Sequence, residues 1–122
     1  MQIEKFTVVV DKALKNIPRK FRNILQKEKI KVLAKEKVPQ SVKEKFPKKI
    51  IFGVFIGVPR KNKSVLFVPP EPTRIELYKE SFEKVFGARM TTSMKERIAG
   101  TVMHEIAHYF GFNEEEIAER GY

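Results

Sequence analysis

His104 and His108 are the only histidines in the chain, and they stand four residues apart with Glu105 beside the first. The stretch from His104 to Glu114, HEIAHYFGFNE, reads H-E-x-x-H-x-x-G-x-x-E. On a helix, residues four apart lie one turn above each other, so both imidazoles share a face. Two imidazoles at that spacing can grip one divalent ion, most naturally zinc. Glu105 sits about 100° further round, too close in sequence to be a comfortable third ligand and well placed to act on metal-bound water. A random chain of this length would match H-E-x-x-H well under about one time in a hundred. The competing reading is a surface helix that merely carries two satisfied histidines. The flanks argue against it.

Stepping about 100° per residue, Ile98, Ala99, Val102, Met103, Ile106, Tyr109 and Phe110 fill one broad arc. Arg97, Thr101, His104 and His108 lie opposite. Such a helix is expected to be mostly buried, with a narrow opening on the metal face. Gly100, one turn before His104, marks a close approach or a packing contact. Thr92 or Ser93 is the expected N-cap, with Glu96 in capping-box position after Ser93.

Gly111 suits the left-handed position that ends a helix. A third zinc ligand is needed, with water in the fourth place. Glu114 is the candidate, and Glu115 the alternative. The same residues also read as a helix start, with Asn113 as N-cap and Glu116 completing a capping box. Both readings are compatible, because one carboxylate can ligate while another caps.

The segment Thr101 to Tyr122, TVMHEIAHYFGFNEEEIAERGY, resembles the active-site end of the small bacterial zincin-like metalloproteases. FGVFIGVPR (Phe52 to Arg60) and RIELYKESFE (Arg74 to Glu83) resemble that family's strand-plus-proline block and following strand, and the likeness extends from about Phe6 onward. The pattern is similar to that of the metzincins, whose third histidine follows the glycine. Here Glu114 stands there, which favours the small family. The resemblance implies His104 and His108 as zinc ligands, Glu105 as general base and Glu114 as third ligand.

The rest of the chain is expected to form one domain, residues 1–122, of the α+β class: a small mixed sheet of three or four strands with helices packed on one side. Glu4 to Asn16 places Phe6, Val9, Val10, Ala13 and Leu14 at helical spacing. Pro18 opens a second short helix. Lys29 to Lys37 alternates as a half-exposed strand. Pro39 to Lys49 is a polar loop with at most one helical turn. Ile50 to Val58, almost wholly apolar, reads as a buried central strand, with close packing at Gly53 and Gly57. Pro59 to Lys63 is a turn, Ser64 to Val68 a partner strand, Arg74 to Tyr78 another strand, and Ser81 to Phe86 a helix closed by Gly87. An extended peptide would lie along either Ser64 to Val68 or Arg74 to Tyr78 as an edge strand. Tyr78, Tyr122, Arg97 or the ion itself are candidates for stabilising the oxyanion.

Charge is uneven. Met1 to Lys63 carries 18 basic against 5 acidic residues, and Ser64 to Tyr122 carries 7 against 10. The basic half permits a second reading, a nucleic-acid-associated or regulatory module whose metal site is structural or vestigial. A solvated Lys-rich surface of the thermophile kind is favoured over it, because the aromatic residues fall at core-like spacings. The expected partner is a peptide or protein substrate. There is no cysteine, so neither disulfides nor a thiolate metal site are available. Neither a signal peptide nor a membrane span is read at the start, so the expected location is cytoplasmic.

Overall fold

The computed structural model describes residues 1–57 and 73–121. Six helices and three strands follow in the order α1 (Ile3–Lys15), α2 (Arg19–Lys27), β1 (Lys31–Lys35), α3 (Gln40–Lys45), β2 (Gly53–Ile56), β3 (Arg74–Tyr78), α4 (Lys79–Phe86), α5 (Thr92–Tyr109) and α6 (Glu114–Glu119). This is an α+β fold. The predicted turn at Pro59 to Lys63 and strand at Ser64 to Val68 lie outside the described residues, as does Tyr122.

Helix α1 buries Phe6, Val9, Val10 and Ala13. This is the i, i+3, i+4, i+7 stripe of an amphipathic helix. The first of its three consecutive valines, Val8, turns outward and is 50% exposed, so the run Val8-Val9-Val10 does not break the helix. In α2, Phe21 is the buried anchor. The loop expected after Pro39 contains α3, a helix of six residues with no buried side chain.

The sheet order is β1-β3-β2. β1 runs parallel to β3, with Val32 opposite Ile75, and β2 runs antiparallel to it, with Phe55 opposite Ile75. Two expectations are therefore corrected. The apolar run at Ile50 to Val58 supplies a short strand at the sheet margin among the described residues, and each of its four residues is only half-buried. Arg74 to Tyr78 is the central strand, paired on both sides, and cannot be the edge that receives a peptide. Arg74 Nε donates to Glu76 Oε2 at 2.9 Å and Tyr78 Oη donates to Glu76 Oε1 at 3.2 Å, so one ion pair and one hydroxyl satisfy each other on a buried strand.

Ile75 and Leu77 point from the other face of β3 into the core, which they share with Phe6, Val10, Phe82 and the buried stripe of α5. Gly53 lets α5 and β3 close on β2. A Cβ built there would lie 2.6 Å from Glu76 O, 2.9 Å from Leu77 Cδ2 and 3.2 Å from Thr101 Cγ2. The ring of Phe55 then packs on Tyr109 with 5.1 Å between centroids, which fixes β2 beside the last turns of α5.

Candidate metal centre

Helix α5 starts at Thr91, whose side chain accepts a hydrogen bond from Met94 N at 3.1 Å. The cap is thus one residue earlier than Thr92 and two earlier than Ser93. Met94, Ile98, Val102, Ile106, Ala107 and Tyr109 are buried, whereas Ala99, Met103 and Phe110 of the predicted arc are only half-buried. His104 and His108 lie off the buried stripe, with side chains 31% and 33% exposed. Their ring centroids are 4.9 Å apart. Gly100 meets nothing within 4 Å of where its Cβ would be. No neighbouring backbone or packing contact occupies that side; Gly100 borders the open cleft.

The helix ends at a Schellman turn. Phe112 N–H donates to Ala107 O at 3.1 Å and Gly111 N–H to His108 O at 2.8 Å, with Gly111 at φ +89°. Two residues later Asn113 caps α6. Its side chain accepts from Glu116 N at 2.8 Å, and its own N–H donates to Glu116 Oε1 at 3.1 Å. This capping box fixes the first turn of α6, and with it Glu114.

Glu114 reaches both imidazoles. Its Oε1 lies 2.7 Å from His108 Nε2 and its Oε2 3.0 Å from His104 Nε2. Burial works to raise the Glu114 carboxyl, but the hydrogen bonds and charges of His104 and His108 outweigh it and hold the group below its ordinary range. No contact joins Glu115 to the histidines.

Glu105 approaches from the sheet side. Its Oε1 accepts the backbone N–H of Phe55 at 2.9 Å. Among the described residues its Oε2 takes no hydrogen bond. Burial pushes this carboxyl up, and the charge of His108, the Phe55 N–H and the charge of His104 pull it down without cancelling the shift. Sequence gave no sign of Phe55, because a backbone donor leaves no mark in side-chain chemistry.

The donor atoms of His104, Glu105 and His108 all lie within 4.8 Å of one another. A tetrahedral zinc with bonds of about 2.0–2.1 Å keeps its ligand atoms roughly 3.4 Å apart. The Nε2-to-carboxylate separations of 2.7 to 3.2 Å at Glu114 need open only slightly to match. Two imidazoles with one or two carboxylates also suit zinc chemically. The residues present fit a metal.

The site opens on a cleft of about 780 Å³ that runs back along α5 past Gly100 and Arg97, with Ile50 to Val54 as the opposite wall. Arg97 lies over the ring of Phe52, 5.3 Å from its centroid. Of the residues named for oxyanion stabilisation, Arg97 lines this cleft. Tyr78 does not: it is fully buried and engaged with Glu76.

No helix among the described residues is long and apolar enough to cross a membrane. No curated protein matches the chain. A family model described as zincin-like metallopeptidase matches residues 28–122. The match begins where α2 ends rather than near Phe6, so it takes in the sheet, the cleft wall and the histidine helix but not the first two helices. The chain therefore belongs to the zincin-like metallopeptidase family, whose members imply a bound metal.

Proposed function

We propose that this protein is a zinc-dependent peptidase in which His104, His108 and Glu114 hold the ion and Glu105 is the general base. The observation that carries the reading is the convergence on one histidine pair of two carboxylates, one from α5 itself and one from α6. Glu114 meets both rings at their Nε2 atoms. Glu105 is held back by the Phe55 N–H. The two acids therefore have separate tasks, one ligating and one moving protons.

Zinc, when bound, supplies Lewis acidity toward the scissile carbonyl and makes water a nucleophile near neutral pH. The chain's own residues do the rest. Phe55 fixes Oε1 of Glu105, so the free Oε2 is the atom that takes a proton from the attacking water. As water oxygen bonds to carbonyl carbon and the C–N bond breaks, that proton passes to the leaving amine. A carboxyl raised by burial suits both halves of this exchange, since it holds the proton long enough to deliver it. Arg97, which lines the cleft, and the ion itself are the candidates to stabilise the oxyanion.

The test is Glu105→Gln. Zinc content by mass spectrometry should equal that of the unaltered protein, while cleavage of a mixed peptide library falls by at least about 10²-fold. Undiminished cleavage by the variant, or no cleavage by the zinc-loaded unaltered protein, would overturn the proposal.

A further inference from the structure

The far end of the cleft is built from different chemistry. Phe46 and Ile50 are 42% and 47% exposed, two of the four large apolar side chains so exposed among the described residues. Together with Lys49 and Ile51 they form a ridge shared by the metal-site cleft and a second cavity of about 280 Å³. Exposed apolar groups gathered at a concave rim mark a contact surface more often than a solvated one.

Lys49 lines both cavities, Lys43 and Lys84 line the second, and Lys45 and Lys48 are exposed sequence neighbours of Phe46 and Lys49. Residues 43–49 contain Lys43, Lys45, Lys48 and Lys49 against the single acid Glu44. Lys43 pairs with Glu80 at 3.8 Å. Among the described residues Lys45, Lys48, Lys49 and Lys84 have no carboxylate partner. At the histidines the acids are Glu105 and Glu114.

The main chain adds a third element. Among the described residues the backbone N–H and C=O groups of Ile50 and Ile51 make no hydrogen bond, and both residues wall the cleft. An extended polypeptide can pair with such groups. A nucleic acid would use the lysines but has little use for an aliphatic ridge or a free strand-like backbone.

We propose that the ridge of Phe46 and Ile50, with Lys45, Lys48 and Lys49 around it, is a recognition site for an extended acidic polypeptide segment carrying a large apolar side chain. That the segment is a substrate rests on the peptidase reading; the binding itself does not. The apolar side chain sits on the ridge, its acidic neighbours face the lysines, and the remaining chain runs along Ile50 and Ile51 toward the histidines.

The experiment uses the full chain carrying Glu105→Gln and loaded with zinc, so that bound peptide stays intact. Fluorescence anisotropy is read with four labelled probes: a Glu-rich peptide with one central Leu, the same peptide with that Leu replaced by Ser, the same peptide with Lys for every Glu, and a single-stranded oligonucleotide. The first should bind about tenfold more tightly than the other two peptides. Phe46→Ser with Ile50→Ser should lose that preference for Leu. Lys48→Glu with Lys49→Glu should weaken the acidic probe and strengthen the basic one, a gain that unfolding cannot produce. Zinc content should be unchanged in both variants. Equal binding of the three peptides, variants that bind as before, or an oligonucleotide bound more tightly than any peptide would overturn the proposal. Failure of the peptidase reading would show separately, as absent hydrolysis by the unaltered zinc-loaded protein.

Discussion

Phe55 gives its backbone N–H to Glu105, fifty residues along the chain, at 2.9 Å. Alternate residues of a strand direct their main-chain groups to opposite sides. Phe52 O accepts from Tyr78 N, so Val54 and Ile56 also face β3 and Phe55 faces away. The sheet margin therefore spends an outward donor on the helix that carries the histidines. β2 and α5 are joined by this bond, by Phe55 on Tyr109 and by the bare Cα of Gly53. The proposed base inherits its position from a strand rather than from its own helix.

That position has a stability consequence. A carboxyl whose pKa is raised on folding is penalised when charged. The penalty is absent below its unfolded value and complete above its folded value. Glutamine keeps an acceptor for Phe55 and carries no charge. With metal removed by chelator, Glu105→Gln should melt a few degrees above the unaltered protein at neutral pH. The gap should close as pH falls through the ordinary glutamate range. Thermal melts by circular dichroism from pH 7 to pH 4 test this, and a gap that widens toward acid would contradict it.

The two candidate third ligands are separable. Glu114 touches both rings, and Glu115 touches neither. Glu114→Ala should weaken zinc binding by at least about tenfold in competition with a fluorescent chelator. Glu115→Ala should leave it within about twofold. Its backbone propensity is as good as that of glutamate, so any loss there would point to ligation by Glu115 instead.

Much of this site was readable from residues alone. The histidine spacing, the terminating glycine and the Asn113–Glu116 box each follow from local rules that need no tertiary partner. The sheet order did not follow. The apolar stretch at Ile50 to Val58 was expected at the centre, yet its side chains serve the cleft and α5. Arg74 to Tyr78 was expected as a strand and a possible edge, yet it is paired on both sides and its Glu76 is only 6% exposed. Composition cannot distinguish a polar face turned to water from one whose groups pair with each other. The Thr91 cap was missed because Thr92 and Ser93 carry the same chemistry one and two residues later.

The capping box should matter beyond the stability of α6. Asn113→Ala removes the acceptor for Glu116 N, a loss of about 1 kcal/mol. A six-residue helix has little else to hold its first turn. Glu114 lies in that turn, so zinc affinity should fall severalfold along with a modest drop in melting temperature. Asn113→Ser, which keeps a capping oxygen, should restore most of both. A fall in melting temperature with unchanged zinc affinity would show that Glu114 is held by the histidines alone.

Two glycines on opposite walls of the cleft should respond to alanine with opposite signs. At Gly53 the new Cβ would stand 2.6 Å from the main-chain oxygen of Glu76, with Leu77 and Thr101 closing the other sides. Backbone must move, at a cost of roughly 1–3 kcal/mol, and the movement carries Phe55 away from Glu105. At Gly100 the new Cβ meets nothing within 4 Å, and alanine in mid-helix is favoured by about 1 kcal/mol. Denaturant unfolding should therefore show Gly53→Ala destabilised and Gly100→Ala stabilised. If activity is present, Gly53→Ala should lower kcat through the displaced base. Gly100→Ala narrows the cleft without touching the histidines, so its effect should fall on KM. A stabilised Gly53→Ala would mean that helix, strand and β3 are not packed as tightly as this geometry requires.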